Sequence, residues 1–157
     1  MIKLLRSLAA LGAAVVLVPA QAQDAAPPAS AASAPAPVDD ALFRALGGRD
    51  GIGRLVAEFV PRLAGDPRTS EFFKNVPRKH FEAMLSLKFC EVAGGPCVYT
   101  GRSIAEVHHE LDISAADFNG VVEVLQDSMD AQGVPFATQN RLLARLAPMH
   151  RDIVTVH

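Results

Sequence analysis

The sequence has no tryptophan, one tyrosine (Tyr99) and two cysteines (Cys90 and Cys97) among 157 residues. Neither cysteine has the paired spacing of a zinc site. An excess of charge of one sign is also missing. A net charge of −2 gives no reason to expect nucleic acid or an anionic membrane surface as a partner. The apolar run Leu8 to Val18 is too short for a comfortable membrane span, so no membrane insertion of the mature domain is expected. No segment reads as a strand, and no internal repeat is present. What is there is 50% hydrophobic content, enough for one domain with a real core.

The apolar run lies between Lys3 and Arg6 on one side and Ala20-Gln21-Ala22 on the other. A basic start, a short apolar segment and a small-x-small site read as a secretory signal cut after Ala22. The mature chain is therefore expected in the periplasm. No lipid-attachment cysteine lies near the cut. Without Lys3 and Arg6 the chain has 13 basic against 17 acidic residues, a net charge near −4. Gln23 to Val38 is almost entirely Ala, Pro and Ser, which reads as a flexible tether. The expected organisation is a signal peptide over 1–22, a linker over 23–38 and one folded domain over 39–157.

Within that domain the apolar spacing is helical throughout. Asp39 or Asp40 caps a short helix carrying Leu42, Phe43 and Leu46, which Gly47-Gly48 ends. A second helix runs from about Asp50 to Ala64, with Pro61 expected to kink or split it. Asp66-Pro67 reads as a cap and first helical position, leading to Phe72-Phe73, which cannot share one face. Pro77 opens a helix to about Ala93 whose stripe is Phe81, Met84, Leu85, Lys88, Phe89 and Val92; Gly94-Gly95-Pro96 stops it. Ser114 to Asp117 starts another helix, carrying Phe118, Val121, Val122, Leu125 and Met129. The last runs from about Phe136 to Val154, bent at Pro148. The reading is all-α, with five or six helices.

Tyr99 to Ile113 organises the rest. Ser103-Ile104-Ala105-Glu106 reads as a capping box. Ile104, Val107, His108 and Leu111 follow at the spacing of one face, which places His108 on an apolar stripe and His109 towards solvent. A histidine there is either a partly buried imidazole bonded to a backbone carbonyl or a neutral ligand presented to a metal from an apolar wall.

Taken in order, Leu46-Gly47-Gly48, Asp66-Pro67-Arg68 with Phe72-Phe73, Gly94-Gly95-Pro96 with Tyr99-Thr100-Gly101-Arg102, Val107-His108 and Leu146-Ala147-Pro148-Met149 with Asp152-Ile153-Val154 resemble a group I truncated haemoglobin over the whole folded part. The resemblance implies a two-over-two helical sandwich around a non-covalent b-type haem, with His108 as the proximal iron ligand and Phe73 wedged against the porphyrin. Phe73, Phe81, Leu85, Phe89, Ile104, Val107, Phe118, Val121 and Leu146 would line the slot. His80, Lys79, Tyr99 and Arg102 are candidates for the propionates, each equally readable as solvated surface. The distal pocket would consist of Phe59, Val60, Phe81, Met84 and Leu85. No CxxCH run is present for covalent attachment.

The chain departs from the family at the position that commonly holds a distal tyrosine, which here is Val60. Phe81 and Leu85 stand where polar partners are common. A missing donor to dioxygen forfeits roughly 1–3 kcal/mol, about one to two decades of affinity. Weak dioxygen binding, little discrimination against carbon monoxide and room for nitric oxide follow. An open or water-ligated site ranks first, ligation by His80 second and by Met84 third. The competing functions are a haem redox enzyme (a nitric oxide dioxygenase or peroxidase-like protein) needing an external reductant, and a helical module without a cofactor. Cys90 and Cys97, an even count in an exported chain, suggest a disulfide across the glycine turn, with two free thiols as the alternative.

Overall fold

The computed structural model describes residues 39–156. The signal peptide and linker expectations lie outside the described residues. Eight α-helical segments and one 3₁₀ turn follow one another, and no strand occurs among the described residues. They are α1 (Ala41–Ala45), α2 (Gly48–Gly65), α3 (Ser70–Phe73), α4 (Arg78–Val92), α5 (Ile104–His108), α6 (Ala115–Ala131), α7 (Phe136–Leu146), the turn Ala147–Met149 and α8 (His150–Ile153).

Helix α2 packs on both α4 and α6, and α7 meets α4 and α6 in turn. This is the two-over-two sandwich, with α2 and α4 as one layer and α6 and α7 as the other. Leu42, Ile52, Leu55, Val56, Leu63, Met129 and Leu142 are essentially inaccessible at its centre. Phe59 stacks on Phe89 with centroids 6.2 Å apart, joining α2 to α4. Two buried hydroxyls are satisfied locally: Thr69 donates to Leu63 O and Ser128 to Val124 O, each at 2.7 Å.

Several local expectations are corrected. Pro61 does not split α2, which runs unbroken through it. Pro61 and Ala57, whose carbonyl loses its donor, both face solvent, where water can replace the missing bond. Asp66 caps no helix. Its carboxylate is spent on the Arg68 backbone amide (2.9 Å) and guanidinium, so 66–69 is a turn and α3 starts only at Ser70. Pro148 does more than bend the last helix: the backbone tightens to a 3₁₀ turn there, and α7 and α8 are separate. Helix α5 stops after His108. The chain turns through a left-handed Asp112 (φ 48°), so Leu111 leaves the stripe and is 40% exposed.

The joint after α4 needs glycine. Gly94 has φ 80°. A Cβ on Gly95 would lie 2.5 Å from the Phe43 ring and 2.7 Å from Cys90 Sγ. Cys90 and Cys97 are bonded, with Cα atoms 5.8 Å apart. At the other end of the fold, the amides of Thr155 and Val156 donate to Ile113 O (2.9 and 3.1 Å) and Ile113 N donates to Thr155 Oγ1 (2.9 Å). Helix α8 is thereby held against α5. None of the helices among the described residues is long and apolar enough to cross a membrane.

Candidate haem-binding site

The capping box read from the sequence is present: the Ser103 hydroxyl accepts from Glu106 N, and the Glu106 carboxylate accepts from Ser103 N at 2.9 Å and from its hydroxyl at 2.7 Å. The Ser103 bonds hold the Glu106 carboxyl below its ordinary pKa. This cap fixes the start of a helix only five residues long. On its last turn His108 is half-buried, with Nδ1 2.7 Å from Ile104 O. A carbonyl only accepts, so Nδ1 carries the proton, and in the neutral ring Nε2 keeps its lone pair. The bland reading of His108 foresaw this bond. The same bond is what orients an imidazole that ligates a metal.

His108 lies in the wall of a cavity of about 560 Å³, within the range of cofactor pockets. Phe59 and Leu63 from α2, Phe73 from α3, Phe81, Met84, Leu85 and Phe89 from α4, Ile104 and Val107 from α5, Phe118 and Val121 from α6, and Leu146 from α7 share that wall. Phe73 stacks on Phe81 at 5.4 Å between centroids, so the second of the paired phenylalanines does pack away from its own helix. His80, Tyr99 and Arg102 line the same cavity. His80 and Arg102 are exposed and Tyr99 is half-buried, as suits groups at a rim. Arg102 also donates to Glu106 O at 3.2 Å, on the backbone of α5.

Two expected residues are not in the wall. Val60 is buried in the core, 5% exposed, and is not a cavity residue. Its neighbour Phe59 and Leu63, one turn on, take the cavity side of α2, and adjacent residues leave a helix about 100° apart. Lys79 is exposed and away from the cavity.

Several wall residues were not anticipated. Leu63 could have been read from its spacing to Phe59. Met149 and Ile153 could not, because the break at Pro148 sets where they point. Lys88, which stands in the α4 stripe, lines the same cavity. Its side chain is only 16% exposed. Its ammonium pairs with Glu91 at 2.7 Å and lies 3.9 Å over the Tyr99 ring. Lys88, then the Tyr99 amide at 2.9 Å, hold the Glu91 carboxyl below its usual range.

A large apolar slot, one imidazole with a free Nε2 in its wall, and cations at its edge suit a flat apolar macrocycle with a metal centre and carboxylate arms. The residues therefore fit haem.

The fold is that of the two-over-two globins. The crystal structure of truncated hemoglobin from Tetrahymena pyriformis in its Fe(III) form superposes with a TM-score of 0.70 at 24% identity, covering 72% of this chain and 97% of that one. The 2/2 hemoglobin of a Synechococcus species, solved in the cyanomet state with covalently attached heme, gives 0.68 at 19% identity, with coverage of 72% and 97%. In sequence, the group 1 truncated hemoglobin GlbN of Mycolicibacterium paratuberculosis is 29% identical over 114 residues, 73% of this chain and 84% of the relative. The sequence model of the family "Bacterial-like globin" matches residues 41–155. The chain belongs to the bacterial-like globin family, whose cofactor is haem, held without a covalent bond in most members.

Proposed function

We propose that this chain holds a non-covalent haem through His108 and binds a small diatomic ligand, dioxygen or nitric oxide, against a wall of Phe59, Leu63, Met84 and Leu85 that carries no hydrogen-bond donor. The observation that carries the reading is the imidazole of His108, oriented by Ile104 O at 2.7 Å with Nε2 free, in the wall of an apolar cavity. When bound, haem would supply an iron able to take a diatomic ligand, with His108 holding it. The chain's own residues do the rest. Phe73, Phe81 and Phe89 exclude water, and His80 and Arg102 stand at the exposed edge for the carboxylate arms. Phe59, Leu63, Met84 and Leu85 offer a ligand neither hydroxyl nor amide. Affinity for dioxygen is accordingly low, and nitric oxide, which depends less on a donor, binds well.

Export to an oxidising compartment is part of this reading. It is supported by the signal-like start, Lys3 and Arg6 before Leu8 to Val18 and Ala20-Gln21-Ala22, and by the Cys90–Cys97 bond, which suits such a compartment.

The test is the optical spectrum of the haem-reconstituted chain, ferric then ferrous, beside His108→Ala. A Soret band that His108→Ala abolishes or shifts is expected. A band identical in the two, or none in either, would refute the assignment.

A further inference from the structure

We propose that the Cys90–Cys97 bond is a thiol-exchange site whose reduction loosens the wall of the haem cavity; the proposal rests on haem binding as read above. The bond stands between two cavities. On one side, Phe89 precedes Cys90 in the haem-cavity wall, and Tyr99, Gly101 and Arg102 follow Cys97 there. On the other, both cysteines line a second cavity of about 310 Å³ between α2 and α4, with Arg49, Ile52, Ser86 and Leu87.

The second cavity gives access. Cys90 is 1% exposed and Cys97 half-buried, so an incoming thiolate meets Cys97 first. Arg49 is on the same wall, its guanidinium donating to Pro96 O at 2.7 Å, and a nearby cation favours a thiolate. A dithiol is the reductant. One of its thiolates attacks Cys97 Sγ, the disulfide breaks, and Cys90 leaves as a thiolate that takes up a proton. The second thiol then attacks the mixed disulfide and releases Cys97 as a thiol, the reductant ending as a disulfide.

The first cavity gives the consequence. Between Cys97 and Ser103, the backbone makes one hydrogen bond among the described residues, from the Tyr99 amide to the Glu91 carboxylate at 2.9 Å. The disulfide is therefore the main tie between α4 and a segment that places three residues in the wall. That segment leads directly into α5 and His108. With the bond reduced, that amide-to-carboxylate contact, the Lys88–Tyr99 contact at 3.9 Å and, at the base of the segment, the Arg49 bond to Pro96 O are left to hold it.

The test uses the full chain loaded with haem. Haem transfer to excess apomyoglobin is followed at the Soret band, with and without dithiothreitol, and alkylation before mass measurement counts free thiols. The expected result is two alkylated thiols and transfer about tenfold faster after reduction, one decade of the stabilisation that such a disulfide contributes. The Cys97→Ser chain should transfer at the raised rate and ignore dithiothreitol. An unchanged rate in alkylated chains overturns the proposal, as does a bond that dithiothreitol leaves intact under native conditions, or a Cys97→Ser chain that retains haem like the oxidised protein. A chain that takes up no haem in any state fails the functional reading instead. Hydrogen exchange at residues 98–102 of the empty chain then decides: faster exchange on reduction supports the tie, and unchanged exchange overturns it.

Discussion

Replacing Leu85 with glutamine tests the apolar pocket directly. Leu85 is half-buried on α4 and shares the cavity wall with Phe81, Met84 and Phe89. Nothing on that part of the wall donates a hydrogen bond. The nearest cation on the helix, Lys88, is engaged by Glu91 and Tyr99. Glutamine is close to leucine in size, reaches about one atom further and adds an amide N–H. A hydrogen bond to a ligand carrying partial charge is worth about 1.5–3 kcal/mol. Dissociation of dioxygen should then slow by about one to two decades. Burying the new amide costs some stability, so Leu85→Met serves as the volume-matched control and should leave the rate within about twofold. Stopped-flow displacement of dioxygen from the reduced protein by carbon monoxide gives both rates. If Leu85→Gln binds haem normally and releases dioxygen no more slowly than the parent, the pocket is not donor-poor, or α4 does not face the ligand.

Three further outcomes follow from the structure. Gly95→Ala places a methyl 2.5 Å from Phe43 and 2.7 Å from Cys90 Sγ, an overpacking cost of about 1–3 kcal/mol that thermal unfolding should register as a fall of several degrees. Ser103→Ala removes half of the capping box on the five-residue helix of His108. It should cost about 1 kcal/mol and speed haem loss, whereas the same change at the exposed Thr100 should do neither. Glu91 is held below its ordinary value of about 4.5 by Lys88, so its contribution is intact above that pH and is lost as pH falls through the lowered value. Haem transfer should therefore accelerate in acid, and Glu91→Gln should flatten that part of the profile.

The sequence made the scaffold of the site legible and left its edges obscure. The capping box at Ser103 forms as its spacing implied, and Ser114, read as the start of the next helix, also makes one with Asp117, because a cap is a local matter of four residues. His108 and the α4 stripe were legible for the same reason: helical periodicity needs only neighbours. The two interior prolines were not distinguishable in advance. Pro61 lies on an exposed face where water tolerates its missing donor, and Pro148 breaks the chain into a 3₁₀ turn. That break carries Met149 and Ile153 into the wall. The burial of Lys88 was not legible, because it depends on Tyr99 and Glu91 together, a contact that periodicity does not encode. Val60 was misjudged because family correspondence names a position, whereas the rotation of α2 decides which of two adjacent residues meets the cavity.

The clasp between Ile113 and Thr155 sets an order of events. These residues are 42 apart in the chain, and a helix of five residues does not persist unaided. A ribosome delivers His108 well before it delivers the segment that steadies it. A nascent chain therefore grips haem poorly until residues 150–156 have emerged and docked. On the role proposed for His108, haem capture therefore waits for that docking and follows the synthesis of both halves of the clasp.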